Sequence, residues 1–149
     1  MTRSPETARG TPRVTATFGH ADRRYQPHDS LAVKYSIAGI ENEQVRAIEH
    51  SVLWYTEGKG EEDLGIHLFQ RITDQALLPP AAVTGSFSTQ LPASPLSYEG
   101  VIVKVRWCVR VRLFFQGGRD FVTEHEFDMG CLPPARPVAG AARQEEPTP

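Results

Sequence analysis

The stretch Val101-Ile-Val-Lys-Val-Arg-Trp-Cys-Val-Arg-Val-Arg-Leu-Phe-Phe115 has an apolar residue at every second position. A period of two residues is the pattern of an extended strand with one buried face. The opposite face carries four cationic side chains, which we call the basic ladder: Lys104, Arg106, Arg110 and Arg112. The stretch therefore predicts a long β-strand with a core side and a basic side.

The next alternating stretch, Arg119 to Met129, predicts the second strand of a hairpin. A two-residue loop would pair apolar with acidic side chains, whereas a three-residue loop Gln116-Gly117-Gly118 restores matching faces and needs Gly118 in a left-handed conformation. This register predicts Leu113 opposite Phe121, Trp107 opposite Phe127, Arg110 opposite Glu124 and Arg106 opposite Asp128. Lys104 and Arg112 then have no acid directly opposite, which makes them the better candidates for an external anion.

Alternation recurs along the rest of the chain. The predicted strands are 14–18, 31–37, 45–56, 63–72, 83–91, 101–115 and 119–129. Glu41–Glu49 and Thr73–Leu78 remain open to a helical alternative. The fold class is all-β, an antiparallel immunoglobulin-like sandwich of seven or slightly more strands.

The length and composition predict one domain and disfavour some classes of function. The 149 residues include 12 prolines, which are frequent near both ends, and the net charge is −2. We expect a disordered arm at 1–12, a sandwich at 13–132 and a disordered Pro-rich tail at 133–149. The near-neutral charge disfavours nucleic-acid binding. No apolar run is long enough for a transmembrane span, and no secretory leader is visible, so a cytoplasmic location with reduced Cys108 and Cys131 is expected.

Residues with reactive side chains form no recognisable catalytic set, so we expect no enzyme activity, cofactor or metal. His50 and His125 share the parity of core positions, which favours hydrogen-bonded core or rim histidines over ligands. Cys108 has outward parity beside Arg106 and Arg110, and nearby cations could activate its thiol. Burial as a small residue is the favoured alternative.

Several short motifs resemble the arrestin-like superfamily, which includes arrestins, α-arrestins, a related retromer subunit and bacterial sporulation-control proteins. They are Phe87-Ser-Thr-Gln-Leu-Pro92, Pro95-Leu-Ser-Tyr-Glu-Gly100 and the strand through Trp107-Cys-Val-Arg-Val-Arg-Leu113. Tyr25-Gln-Pro-His-Asp29 is similar to a Tyr-x-Pro-Gly-Glu turn of that family, with His28 and Asp29 in place of Gly and Glu. The resemblance implies an arrestin-like sandwich, but the chain has room for one sandwich where arrestins have two.

Three functional hypotheses follow. The first is a non-enzymatic cytoplasmic scaffold or adaptor that binds partner proteins through sheet edges, faces or loops, with homo-oligomers through edge strands as one form. The second is an anionic-lipid or phosphate-ligand domain that uses the basic ladder in peripheral contact with a membrane. For the ladder itself we favour neutralisation by Glu124, Glu126 and Asp128. The third, a small enzyme on a sandwich scaffold, lacks a visible site.

Overall fold

The computed structural model describes residues 11–40 and 43–130, and these form a β-sandwich. The strands are β1 (Arg13–Phe18), β2 (Arg24–Tyr25), β3 (Ser30–Ala38), β4 (Val45–Gly58), β5 (Leu64–Ile72), β6 (Thr84–Gln90), β7 (Tyr98–Glu99), β8 (Val103–Phe115) and β9 (Asp120–Met129). The predicted arm 1–12, apart from its last two residues, the tail 133–149 and Cys131 lie outside the described residues.

Two sheets face each other across the core. The small sheet has the order β1-β3-β6, and the large sheet has the order β2-β9-β8-β4-β5 with β7 beside β8. The pairs are antiparallel, except that β2 runs parallel to β9. The predicted all-β antiparallel sandwich is confirmed. The two extra strands, β2 and β7, are two residues long and too short to show alternation.

The β8–β9 hairpin has the predicted register. Leu113 lies opposite Phe121, and Trp107 lies opposite Phe127. The amide of Phe115 donates to the carbonyl of Arg119, and Gly118 has φ +100°, so the three-residue loop with a left-handed glycine is confirmed. The predicted pair of Arg106 with Asp128 does not form, because the β8–β9 ladder ends at Trp107 and Asp128 pairs with Arg24 of β2.

The beginning of β8 differs from the prediction. Val101 and Ile102, placed by alternation at the start of the strand, form the tip of the tight β7–β8 hairpin and are 64% and 67% exposed. The helical alternative at Glu41–Glu49 is wrong from Val45 onward, since β4 begins there. Of the second helical alternative, Gln75–Leu77 forms a single 3₁₀ turn.

A chain of polar side chains crosses the core between the sheets. The buried ring of His50 on β4 lies 2.9 Å, through Nδ1, from the hydroxyl of Tyr35 on β3 and 2.6 Å, through Nε2, from Oε1 of Gln70 on β5. The amide oxygen of Gln70 can only accept, so Nε2 carries the proton and Nδ1 accepts from Tyr35 in a neutral ring. Burial lowers the pKa of His50, which agrees with that state. The expectation of a hydrogen-bonded core histidine is confirmed.

The position of the Tyr35 ring depends on a glycine in the neighbouring strand. The ring of Tyr35 lies against Gly85 of β6, where an added Cβ would come within 2.4 Å of the ring atom Cζ. Gly85 is therefore needed for close packing of the aromatic ring on the strand.

Candidate functional site

The outer face of the large sheet, on the side away from the small sheet, carries all four residues of the basic ladder. On β4 this face is formed by alternate residues such as Ser51, Leu53 and Tyr55, which pair with Arg110, Cys108 and Arg106 of β8. On β9 it is formed by Val122, Glu124 and Glu126. The sequence therefore assigned the basic ladder to the correct face.

Each cation of the basic ladder faces a carboxylate. Arg110 and Arg112 lie 2.8 Å from Glu124 and 2.6 Å from Asp120. The Arg106 guanidinium lies 2.6 Å from Glu57 and 3.7 Å from both Glu99 and Glu126. Lys104 lies 3.0 Å from Glu99. The favoured interpretation, a neutralised strand face, is confirmed for Glu124 and Glu126, but the partner Asp128 is replaced by Glu57 and Glu99.

Lys104 and Arg112 have no acid directly opposite them on β9, as the hairpin register predicts, but both form ion pairs with acids at other positions. Glu99 comes from β7, a strand too short to be predicted, and it pairs directly with Lys104 in the ladder. Asp120 is a diagonal neighbour of Arg112, since it pairs with Phe114 one step along the same face. Long side chains reach diagonal neighbours across a sheet, so a register that counts only direct pairs underestimates neutralisation.

The ion pairs alter the titration of their members in the expected direction. A hydrogen bond to Glu57 raises the pKa of Arg106, and a hydrogen bond from Lys104 lowers the pKa of Glu99. These pairs are solvent-exposed, and water screens such pairs so that they add little to stability. Their main effect is to leave little unbalanced positive charge on the ladder.

Beneath the charged side chains, the centre of the outer face is apolar. Leu53 and Cys108 are opposite each other on β4 and β8, and both are buried. Burial raises the pKa of the Cys108 thiol to about 12, despite the guanidinium of Arg110 nearby. The thiol is therefore protonated at neutral pH, and the interpretation of Cys108 as a buried small residue is confirmed over the reactive one.

The edge strand β5 continues this apolar centre to the rim of the sheet. Leu64, Ile66 and Phe69 are 53%, 58% and 52% exposed, and they lie opposite Tyr55, Leu53 and Ser51 of the outer face. We call these three residues the apolar edge. A sheet face that meets water is normally polar, so three large exposed hydrophobic residues in a row mark a candidate contact surface.

The spacing of Leu64, Ile66 and Leu68 predicts that all three share one face, and this prediction does not reveal the apolar edge. The β4–β5 register shifts between Val52 and Leu53, so that His67 is an extra residue of β5. The ring of His67 points inward, 3.2 Å from the hydroxyl of Thr89 and 2.8 Å from the carbonyl of Gln90. This bulge turns Leu64 and Ile66 outward while Leu68 stays inside. A period of two cannot reveal a bulge of this kind.

A second feature lies at the end of the outer face nearest the C-terminus of β5. Three guanidinium groups surround the ring of Phe114, with Arg71 and Arg112 each 4.9 Å and Arg46 5.5 Å from its centroid. Arg71 also pairs with Glu49. Arg46 has no carboxylate within ion-pair distance among the described residues.

Comparison with known proteins extends this description of the fold. No protein-family model and no curated protein matches the sequence. A crystal structure of Spo0M, a sporulation control protein from Bacillus subtilis, superposes with a TM-score of 0.58 at 16% identity over 83% of this chain. The chain has an arrestin-like fold. It spans about half of the Spo0M chain, 51% of its length.

The turn before β3 contains a non-glycine residue with positive φ. The amide of Asp29 donates to the carbonyl of Gln26 at 3.0 Å, with Pro27 and His28 at the two central positions. His28 has φ +71°, a conformation that favours glycine. The resemblance implied a glycine at this position, so His28 occupies a glycine site of the turn.

Two further observations concern ligands and membranes. The described residues contain no group of three or more histidine, cysteine or acidic side chains arranged to hold a metal ion. Within the same residues, no helix has the length and apolarity that crossing a membrane requires.

Proposed function

We propose that this chain is a non-enzymatic, cytoplasmic protein-interaction module, a scaffold or adaptor, that binds its partners through the apolar edge. One observation carries the proposal. Leu64, Ile66 and Phe69 are each more than half exposed, and they lie on β5, the edge strand of the large sheet. An exposed edge strand can accept a partner strand by main-chain hydrogen bonding, and adjacent apolar side chains add contact area. Full burial of an exposed large apolar side chain contributes about 1.5–3 kcal/mol, and since these three are about half exposed, each can add roughly half of that.

The charge pattern supports a protein partner. The cations of the basic ladder are paired with carboxylates within the chain, so the outer face offers an apolar strip flanked by neutralised pairs. Protein interfaces commonly combine an apolar centre with a polar rim.

The proposal is tested by placing a photo-crosslinking amino acid at Ile66 in the full chain and, as the control, at Val122. Val122 is also exposed on the outer face but lies on β9. A protein captured from position 66 alone is then purified and titrated against the chain. We expect Ile66→Lys to weaken that binding at least tenfold and Val122→Lys to leave it unchanged. Equal binding by both variants, or no protein specific to position 66, would contradict the proposal.

A second candidate function is binding of an anionic lipid or phosphate ligand by the basic ladder Lys104, Arg106, Arg110 and Arg112. The observation that favours it is the group of guanidiniums around Phe114, where Arg46 adds a cation to Arg112 at one end of the ladder. Guanidinium groups bind phosphate by paired hydrogen bonds. A ligand would have to compete with Asp120 for Arg112.

Vesicle binding separates the two candidate functions. If the ladder binds lipid, the chain should sediment with phosphatidylserine vesicles but not with phosphatidylcholine vesicles, and less so as salt rises. Lys104→Glu plus Arg112→Glu should then abolish sedimentation. Arg13→Glu plus Lys34→Glu is a control of equal charge change on exposed positions of the small sheet. Equal binding by the two double variants would reject the ladder as the site.

A further inference from the structure

We propose that the apolar edge binds a second copy of this chain, through antiparallel pairing of β5 with β5 about a twofold axis. This inference rests on the proposed function and names the partner. The pairing would join the two large sheets into one sheet that runs through both copies. Three features of β5 support it: its position at the edge, the symmetry of its face pattern and the charge at its two ends.

The position of β5 makes one side of its backbone available. β5 pairs with β4 on one side and is the last strand of the large sheet in the described part of the chain. Its sequence, Leu64-Gly-Ile-His-Leu-Phe-Gln-Arg-Ile72, contains one charged residue and no proline. Edge strands are usually protected by several charges, by proline or by covering segments. In the described part of the chain β5 has none of these three, and its bulge at His67 is compatible with the twofold register given below.

The bulge at His67 moves the centre of symmetry of the face pattern of β5 from a residue, as in a regular alternating strand, to a peptide bond. Leu64 and Ile66 point outward before the bulge, and Phe69 and Arg71 point outward after it. Leu68 and Gln70, opposite Val52 and His50, point inward, as His67 does. The pattern is therefore symmetric about the peptide bond between His67 and Leu68. An unbulged strand of this length would have no such symmetry about a peptide bond.

The symmetry selects a register between two copies. A twofold axis at that peptide bond places Ile66 opposite Phe69 of the second copy, and Leu64 opposite Arg71 of the second copy. Residues that face each other then share the same side of the sheet, as antiparallel pairing requires. The cross-strand pairs of Ile66 with Phe69 combine a β-branched with an aromatic side chain, which is a stabilising combination. They would cover the apolar edge of both copies.

The charges at the two ends of β5 are complementary. Glu61, Glu62 and Asp63 precede the strand, and none of the three carboxylates is in an ion pair within the described residues. Near the other end, Arg71 and Arg46 lie beside Phe114 with one acid, Glu49, which pairs with Arg71, so this end keeps an excess of one positive charge among these three residues. Antiparallel pairing brings the acidic end of one copy beside the basic end of the other. In the register above, Glu62 is a diagonal neighbour of Arg71 of the second copy on the same face.

The test is the oligomeric state of the full chain, measured by analytical ultracentrifugation over a range of concentrations. We expect a monomer–dimer equilibrium, weakened at least tenfold by Ile66→Lys and unchanged by Val122→Lys. Glu62→Arg and Arg71→Glu should each weaken the dimer about tenfold or more, because the twofold axis turns two attractive contacts into two repulsive ones. These substitutions are at exposed or partly exposed positions, and the thermal unfolding of each variant shows whether it remains folded.

Mixing the two charge variants gives the decisive result. In a mixed dimer, the arginine introduced at position 62 of one chain meets the glutamate introduced at position 71 of the other. At the second contact, the native Glu62 of the Arg71→Glu chain meets the native Arg71 of the Glu62→Arg chain. Both contacts are therefore attractive. We therefore expect the Glu62→Arg and Arg71→Glu variants to dimerise with each other about tenfold more tightly than either does with itself. A monomeric wild-type chain, or a mixture that behaves like its components, overturns the inference.

The two proposals fail in different ways. A monomeric chain that still binds a different protein through Ile66 overturns the second copy as partner and leaves the proposed interaction module intact. A dimer that persists in the Ile66→Lys variant but dissociates in the Val122→Lys variant overturns this inference as well, since it locates the contact on β9. A dimer with the expected variant pattern supports it.

Discussion

Substitution of Tyr35 by Phe should lower the free energy of unfolding by about 1–3 kcal/mol at pH 7, the cost of leaving a buried acceptor without a donor. The variant keeps the ring that packs on Gly85 but removes the hydroxyl that donates to Nδ1 of His50. His50 is 2% exposed, so its nitrogen cannot readily exchange the lost hydrogen bond for one with water.

The same substitution should change the response to alkali. Burial raises the pKa of Tyr35 from 10.0 to about 12. Because the folded pKa exceeds the unfolded one, this group's contribution to stability is complete below pH 10 and is lost as the pH rises from 10 to 12. With about 1.36 kcal/mol for each pKa unit, the loss is about 1.4 kcal/mol at pH 11 and at most about 2.7 kcal/mol. Phenylalanine does not titrate, so the Tyr35→Phe variant should not show this loss.

The measurement is urea unfolding of wild type and variant at pH 7, 9 and 11, followed by tryptophan fluorescence. The stability difference between the two proteins should shrink by about 1.4 kcal/mol from pH 9 to pH 11. Other titrating groups act on both proteins and cancel in the difference. A Tyr35→Phe difference that stays constant across this range, or no destabilisation at pH 7, would refute the proposed burial and hydrogen bond.

Three further predictions concern other residues. His28→Gly should raise the free energy of unfolding by about 0.5–1 kcal/mol, because φ +71° strains a side chain there, whereas His28→Ala should give no gain in the same urea experiment. Burial lowers the pKa of His50, so the contribution of this neutral ring to stability is present above the unfolded pKa of 6.5 and is lost as the pH falls below it. The difference in free energy of unfolding between wild type and His50→Leu should therefore become smaller from pH 7.5 to pH 5. An unchanged difference would contradict this. In a Cys131→Ser background, native Cys108 should react with a disulfide reagent at pH 8 about a thousandfold more slowly than the unfolded chain, and comparable rates would show that the thiol is accessible.

Most long strands could be predicted because each has one face in the core. Val109, Val111 and Leu113 recur with a period of two on β8, and all three are buried in the structure. The hairpin register was also predictable, since only the three-residue loop keeps Leu113 and Phe121 on the same side. In both cases a shift of the register by one residue would turn charged side chains into the core, so the alternating pattern specifies the register.

The start of β8 could not be read from alternation, because Val101 and Ile102 continue the apolar pattern into a turn. Tight hairpins usually have glycine or asparagine at the tip, and here the tip residues are β-branched and exposed. The glycine of this turn, Gly100, lies just before the tip, so the apolar pattern runs through the tip itself without a break. Because alternation does not predict this turn, it does not place Glu99 beside Lys104. Lys104 is therefore predicted to be available to an external anion.

The apolar edge depends on a structural feature that leaves less trace in the sequence. Leu64, Ile66 and Leu68 have the spacing of residues on one face, and only the β4–β5 register separates the first two from the third. One extra residue at His67 moves Leu64 and Ile66 from the core side to the solvent side. The bulge is defined by the pairing of β5 with β4 and by the contacts of His67 with β6, so it depends on tertiary structure and not on the local sequence. Its consequence is local, however: the two apolar residues that it exposes are the ones available to a partner strand.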